Sequence, residues 1–223
     1  MSHPITLYRT PKSGHCHRVE LMLSLLGLPY RTVDLDMANR AHKAPEFLAI
    51  SPFGLVPAID DNGYTLSDSN AILVYLVKNY AADSDWLPAS PKDAAEVQRW
   101  LTIAADNLFA GPCAARLVKV FDVPLDHSAA VEKAHDLLGI LDTHLSTRAW
   151  LATGRPTLAD VALFSYIAHA PEGGVDLRPY PSVHTWLQRV RALPGFVAMA
   201  SSPVVAPELR PAKPSYFRAH RRP

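Results

Sequence analysis

Proline at position 57 constrains this chain more than any other residue. It sits in Gly54-Leu55-Val56-Pro57-Ala58-Ile59, at the mouth of a short apolar strand. Proline cannot donate to a strand ladder and is tolerated only at special strand positions. X-Pro is also the one linkage that readily adopts a cis peptide. A cis-proline here would turn the N–H and C=O of Val56 toward a ligand, and a small extended peptide would pair with them as an added strand. Downstream, Leu66-Ser67-Asp68-Ser69-Asn70-Ala71-Ile72 ends a second strand and opens a helix on an acid–serine pair. Asp68 and Ser69 would meet the charged end of such a peptide at that helix N-terminus. The alternative for the pair is a plain helix cap.

The rest of the N-terminal third supplies the frame for this slot. Residues 5–8 are a short β-prone run; Val19, Met22, Leu23 and Leu26 then recur at helical spacing, and Gly27 closes that helix. Residues 30–35 alternate polar and apolar as a strand does, and Pro45 opens a short helix over 45–48. Residues 56–59 and 64–66 flank Asp60-Asp61-Asn62-Gly63, where Asn-Gly signals a hairpin. A helix follows over about 69–80, with Ile72, Leu73, Leu76 and Val77 on one face. The order βαβαββα implies a mixed sheet and resembles the thioredoxin fold.

Residues 81–92, with two prolines and several turn formers, read as a linker. Beyond it no strand pattern appears; helical patterns run over about 93–108, 128–145, 158–170 and 182–193. The expected architecture is therefore α+β in two domains. Residues 1–80 form the thioredoxin-like unit, and 93–223 an all-α unit ending in a Pro-rich tail from about residue 201. That tail holds Pro203, Pro207, Pro211, Pro214 and Pro223 with Arg210, Lys213, Arg218, Arg221 and Arg222. It is expected to be extended, either as a solvated tail or as a strap across a cleft.

Bulk properties exclude several classes. The chain has 223 residues, 48% of them hydrophobic, and 22 basic against 21 acidic side chains. That balance gives no reason to expect nucleic acid or an anionic membrane as partner. No apolar run approaches the roughly 18 residues needed to span a bilayer. Met1-Ser2-His3-Pro4 lacks the pattern of a secretory leader, and the two cysteines, Cys16 and Cys113, are too few for a disulfide framework. A reducing, cytoplasmic location is expected.

The Val56-Pro57 slot with Asp68-Ser69 resembles the glutathione site of the glutathione S-transferase family. Ser13 stands six residues before Val19 of Arg18-Val19, where serine-type members carry their catalytic serine. His42-Lys43 lies fifteen and fourteen residues before Pro57, where a His-Lys pair in such members holds the glycine carboxylate of glutathione. Thr157-Leu158-Ala159-Asp160 resembles the capping box of the family's sixth helix, a folding signature. Tyr180-Pro181 with Trp186 and Pro194-Gly195-Phe196 resembles its last core helix. Two positions depart from the family pattern: Asp68 replaces a commoner Glu or Gln, and Leu55 a commoner polar residue.

The resemblance implies a detoxification enzyme. Glutathione is the co-substrate, Val56 pairs with its cysteinyl backbone, and Asp68 and Ser69 take its γ-glutamyl end. Ser13 is then a hydroxyl donor to the thiolate; its alternative is an N-cap alone. A free thiol ionises near pH 8.5. Lowering that by about two units requires roughly 2.7 kcal/mol of preference for the thiolate. A hydrogen bond to a charged group gives about 1.5–3 kcal/mol and a helix N-terminus about 0.3–1. The two suffice, with no general base. An apolar electrophile is expected between the Ser13 loop and the helix holding Ile103, Asn107, Phe109 and Arg116, with Tyr8 as a further candidate. Cys16 is either a buried small side chain or a reactive thiol, the latter making a glutathione-dependent redox enzyme. A third reading is a binding protein without chemistry. No metal is expected, since His15 and His17 at i, i+2 face different sides of a helix. Family members usually dimerise, so a homodimer is expected.

Overall fold

Four strands form one mixed sheet in the order β2-β1-β3-β4. The strands are β1 (Ile5–Arg9), β2 (Tyr30–Asp34), β3 (Ala58–Asp61) and β4 (Tyr64–Ser67). β1 pairs parallel with β2, Leu7 opposite Thr32, and antiparallel with β3, Leu7 opposite Ile59. The parallel pair needs a crossover, which α1 (Gly14–Leu25) provides. The antiparallel pair β3–β4 turns on Asn62 and Gly63, both at positive φ (52° and 88°), the geometry an Asn-Gly hairpin demands. α2 (Pro45–Leu48) lies in the connection to β3, and α3 (Ser69–Tyr80) follows β4. The computed structural model describes residues 3–204 and 206.

The βαβαββα order and mixed sheet are those of a thioredoxin-like unit, as the sequence implied. Leu7 and Ile59 are fully buried with Val19, Met22 and Leu23 of α1 and Ile72, Leu73 and Leu76 of α3. The carboxylate of Asp61 accepts from the hydroxyls of Tyr75 (2.7 Å) and Tyr80 (2.5 Å), pinning the hairpin to α3. Val56 and Pro57 precede β3 instead of beginning it, so the strand expected over 56–59 is Ala58–Asp61.

The remaining helices are α4 (Pro91–Ala105), α5 (Ala114–Phe121), α6 (His127–Leu145), α7 (Leu158–Ala168) and α8 (Pro181–Arg191). α7 is the hub: it packs on both α1 and α4, and every residue from Leu158 to Ile167 is buried. A helix apolar all round belongs in such an interior position. Trp86 of the segment before α4 accepts from the Leu158 amide at 2.9 Å, so that segment is tied to the α7 start.

One part of the helical reading needs correction. The helix expected over 93–108 ends at Ala105, and the sequence reading has no counterpart for α5. Between them Phe109–Cys113 forms a π-type turn containing Gly111 and Pro112. Proline removes a helical N–H and widens the turn. A Cβ at Gly111 would lie 2.8 Å from the Ala134 amide nitrogen of α6, so only glycine permits this approach. Of the expected tail, Pro207, Pro211, Pro214 and Pro223 and the basic residues Arg210, Lys213, Arg218, Arg221 and Arg222 lie outside the described residues.

Candidate active site

Two helix N-termini converge on one cavity of about 260 Å³. His15, in the first turn of α1, lines it together with Phe53, Leu55, Val56, Pro57, Ser67, Asp68 and Ser69. The Val56–Pro57 bond is cis. Helix N-termini present unpaired N–H groups and a partial positive charge, so the cavity favours anionic groups.

Ser13 is the N-cap of α1, with extended backbone (φ −85°, ψ 123°). Its hydroxyl oxygen accepts from the Cys16 amide at 3.4 Å, a long bond, and its own amide donates to the Thr10 carbonyl at 3.1 Å. The side chain is half-buried, and its hydroxyl, which also lies within hydrogen-bond reach of the Cys16 thiol, can rotate its hydrogen toward a different acceptor. The next residue, Gly14, is obligatory: a Cβ there would lie 2.8 Å from the Tyr166 ring.

At the other side of the cavity, Asp68 caps α3 by accepting from the Ala71 amide at 2.9 Å. It does so at φ 78°, ψ 118°. A non-glycine residue in such a region costs roughly 1–3 kcal/mol, and strain of this kind clusters at ligand sites. Asp68 is exposed and Ser69 buried beneath it. The Ser69 hydroxyl accepts from Arg18 Nη1 at 2.8 Å and stands 3.4 Å from His15 Nδ1. Arg18 also donates to Asn70 Oδ1 at 2.7 Å and is 1% exposed, while its Nε and Nη2 have no hydrogen-bond partner. Burial lowers this guanidinium to about 10, against the opposing fields of Tyr166 and Asp68. A buried cation is thus stationed behind Ser69.

His15 is a site residue that the sequence reading used only as a metal candidate. Its ring is packed edge-on to Tyr166 (4.9 Å between centroids) and stacked on Phe109 (6.3 Å, 28°). Burial, with the neighbouring Arg18 charge, pushes it down to about 3, so it is neutral at pH 7. His17 points elsewhere, to Ser165 Oγ (2.8 Å) and the Val197 carbonyl (2.9 Å). The signal that could have identified His15 is its place two residues after Ser13, where the first turn of a capped helix faces whatever the cap faces.

His42 and Lys43 sit in a 3₁₀ turn, Ala41–Lys43. Lys43 Nζ donates to the carbonyls of Phe53 (3.0 Å) and Gly54 (3.1 Å), clamping the loop that leads into Val56-Pro57. Gly54 has φ 58°, and a Cβ there would lie 2.6 Å from the His42 carbonyl oxygen. His42 Nδ1 is buried without a hydrogen-bond partner. The pair therefore adjoins the cavity through the Phe53 loop.

The expected electrophile residues separate. Phe109, 46% exposed, stacks on His15, which lines the cavity, and is not itself part of the lining. Tyr8 is half-buried against the Phe47 ring at 5.8 Å. Ile103 packs on the core. Asn107 lines a different hollow with Asp106, Lys133 and Asp136. Arg116 is buried and paired with Glu172, so it does not line an open pocket. Cys16 is 1% exposed, and its sulfur accepts from the Thr10 amide at 3.4 Å. Burial pushes its thiol up to about 11, which keeps it protonated and inert. No group of His, Cys, Asp and Glu able to hold a metal occurs among the described residues. A larger hollow of about 580 Å³ lies between β4, α3 and α4, bordered by Tyr64, Val74, Tyr75, Lys78 and Leu101; of the residues just described, Asn70 and Ala71 line it.

Comparison with known proteins agrees with this fold. Residues 13–79 match the family model for the glutathione S-transferase N-terminal domain, and residues 125–194 that for the C-terminal domain. Glutathione S-transferase 3 of Zea mays is 36% identical over 208 residues, covering 86% of this chain and 91% of that protein. The crystal structure of a glutathione S-transferase from Pseudomonas fluorescens is 30% identical with a TM-score of 0.82, over 88% of this chain and 99% of the other. A delta-class glutathione transferase of Nilaparvata lugens is 32% identical with a TM-score of 0.76, over 86% and 91% of the two chains.

Proposed function

This chain belongs to the glutathione S-transferase family and is a glutathione transferase; we propose that it activates glutathione as a thiolate through Ser13, for attack on a small apolar electrophile. Glutathione takes the cavity between the two helix N-termini. Its cysteinyl backbone pairs with Val56, its γ-glutamyl end meets Asp68 and Ser69, and its glycine carboxylate lies toward His42 and Lys43. The Ser13 hydroxyl donates to the sulfur, and the N-terminus of α1 adds its partial charge. These terms reach the roughly 2.7 kcal/mol that a two-unit shift of the thiol requires. The thiolate then forms a carbon–sulfur bond, and the leaving group departs with its electron pair. The electrophile lies on the Phe109 side, where the helical part of the chain meets His15.

The observation that supports this most is the cap at Ser13, two residues before His15, which lines a cavity that already gathers Val56, Asp68 and Ser69. The test is the pH–rate profile of Ser13→Ala. Its limb should move to higher pH, with conjugation reduced about tenfold or more; an unmoved limb rules Ser13 out as thiolate donor. The redox reading through Cys16 is the weaker one, because that thiol is buried and held protonated. We further propose a cytoplasmic homodimer. Two free buried cysteines suit a reducing compartment, and the mixed aromatic and polar hollow at α3 and α4 suits a second copy. Sedimentation of Val74→Arg, against the unaltered chain, tests the dimer.

A further inference from the structure

The loop that carries Ser13 has few anchors of its own. The Ser13 amide donates to the Thr10 carbonyl at 3.1 Å, and the Thr10 amide to the Cys16 sulfur at 3.4 Å. A stronger anchor comes from 104 residues away: Arg116 Nη1 donates to the carbonyl of Lys12, immediately before Ser13, at 2.6 Å. Arg116 Nε donates to Glu172 Oε2, also at 2.6 Å, and both side chains are almost wholly buried (1% and 4% exposed). The other Glu172 oxygen accepts from His169 Nδ1 at 2.7 Å and from the Ser202 amide at 3.0 Å. Gly173 presses against the same place, since a Cβ there would lie 2.6 Å from the Arg116 amide nitrogen. Four distant segments thus meet at one guanidinium–carboxylate pair.

A buried ion pair is poor value for stability alone, because desolvation cancels most of the attraction and an apolar pair of like volume serves folding as well. An apolar pair cannot hold a carbonyl in place. The planar guanidinium takes the carboxylate with Nε and the carbonyl with Nη1, two donors held at a fixed spacing that a single ammonium nitrogen does not reproduce.

We propose that Arg116 is a positioning residue for the transferase reaction. Its guanidinium fixes the Lys12 carbonyl and so the placement of the Ser13 hydroxyl, and Glu172 holds the guanidinium in line. The proposal rests on reading Ser13 as the thiolate donor. It replaces the expectation that Arg116 touches the electrophile.

The test uses the full chain, glutathione and an activated aryl chloride. Arg116→Lys keeps a cation for Glu172 and loses the fork's second donor nitrogen and its fixed spacing; Glu172→Gln keeps the shape and loses the charge. Both should raise the pKa of bound glutathione, read by ultraviolet absorbance of the thiolate, and Arg116→Lys should lower kcat about tenfold. Glutathione KM should stay within about twofold, a split that a merely structural role would not give. In a Ser13→Ala background, Arg116→Lys should add nothing. If Ser13→Ala raises the thiol pKa while Arg116→Lys and Glu172→Gln leave it unmoved, the positioning claim fails and the Ser13 reading stands. If Ser13→Ala leaves the thiol pKa unmoved, the Ser13 reading fails and takes this one with it. Should one variant not fold, the other decides. Loss of folding in both would overturn the proposal too, because the pair would then be a folding element.

Discussion

Two helix caps in this molecule use the same chemistry to opposite ends. At the start of α7, Thr157 and Asp160 are 0% exposed and form a reciprocal capping box. Asp160 accepts from the amides of Thr157 (2.9 Å) and Leu151 (3.1 Å) and from Trp186 Nε1 (2.8 Å). Each donor is matched, and no ligand could reach it. At the start of α1, the Ser13 hydroxyl oxygen accepts one long 3.4 Å bond and remains half-buried, two residues from His15, which lines the cavity. The saturated cap serves folding. The unsaturated one keeps hydrogen-bonding capacity for a substrate. Spare capacity at a cap, more than the cap residue's identity, marks the site.

The comparison breaks most visibly at Asp160. Asp160→Ala leaves the Leu151 and Thr157 amides and the Trp186 indole N–H buried without partners. The expected loss is about 3–5 kcal/mol in a urea titration. A melt like that of the unaltered chain would show the box to be dispensable.

Ser13→Ala should do the reverse. Removing a cap with so long a bond costs at most about 1 kcal/mol of stability. The same change should lower kcat/KM about tenfold or more. If stability falls as far as activity, Ser13 is a cap like Thr157 and the contrast is lost.

Acid sharpens the contrast in a third way. His17, buried under α7, is pushed down to about 4, chiefly by burial and further by His169 and Arg9, against the pull of its bond to the Val197 carbonyl. His15 is pushed to about 3. In the unfolded chain both take protons near 6.5. The stability they contribute is complete above that pH and is lost as pH falls toward 4, by roughly 1.4 kcal/mol per pH unit for each proton. Asp160 acts oppositely. Burial raises it to about 6, against its hydrogen bonds, so the folded carboxyl binds its proton first and part of the loss is offset between about 6 and 3.8. His17→Asn should flatten the fall in stability between pH 6.5 and 5, measured by urea titration at each pH. An unchanged slope would mean His17 is protonated in the folded chain.

How much of this was legible in the sequence follows from how local each cause is. The hairpin at Asn62-Gly63, the helix opening at Ser69 and the α7 box are set by a few adjacent residues. They stand where their local signals put them. α5 was not legible, because Gly111 is explained by the approach of α6 and not by its neighbours in the chain. Arg116 was misread for the same reason, since its partners are Lys12 and Glu172, 104 and 56 residues distant. Lys43 looked like a free cation for a carboxylate; in the fold its ammonium holds the Phe53 and Gly54 carbonyls. Residue type and spacing locate a site, but tertiary contact decides which members face the ligand and which support it.

Between those two roles stands Asp68, strained, exposed and capping a helix whose second residue is backed by Arg18. Asp68→Asn keeps the cap acceptor for the Ala71 amide, and Asn tolerates positive φ at least as well. Stability should therefore hold within about 0.5 kcal/mol. What changes is the charge offered to the γ-glutamyl ammonium, so glutathione KM should rise several-fold, by the ~1 kcal/mol typical of a solvent-exposed ion pair, with kcat kept. A fall in kcat at constant KM would move Asp68 from binding into the chemical step.

The smallest effect belongs to Cys16, three residues after Ser13 and the sulfur most easily mistaken for the site's nucleophile. Its thiol is enclosed, raised to about 11 by burial despite the bonds from Ser13 and Thr10, and it receives one weak N–H contact. At pH 7 its thiolate fraction is about one in ten thousand, which no ordinary nucleophilicity redeems. Cys16→Ala removes a sulfur from a packed position and a long hydrogen bond, so the cost is about 1 kcal/mol of stability. Conjugation should stay within about twofold of the unaltered chain, since the Ser13 hydroxyl and the two helix ends are left in place. Were conjugation to vanish in Cys16→Ala, the low-pKa thiolate would have to come from the protein after all, and the unsaturated cap at Ser13 would be serving the wrong sulfur.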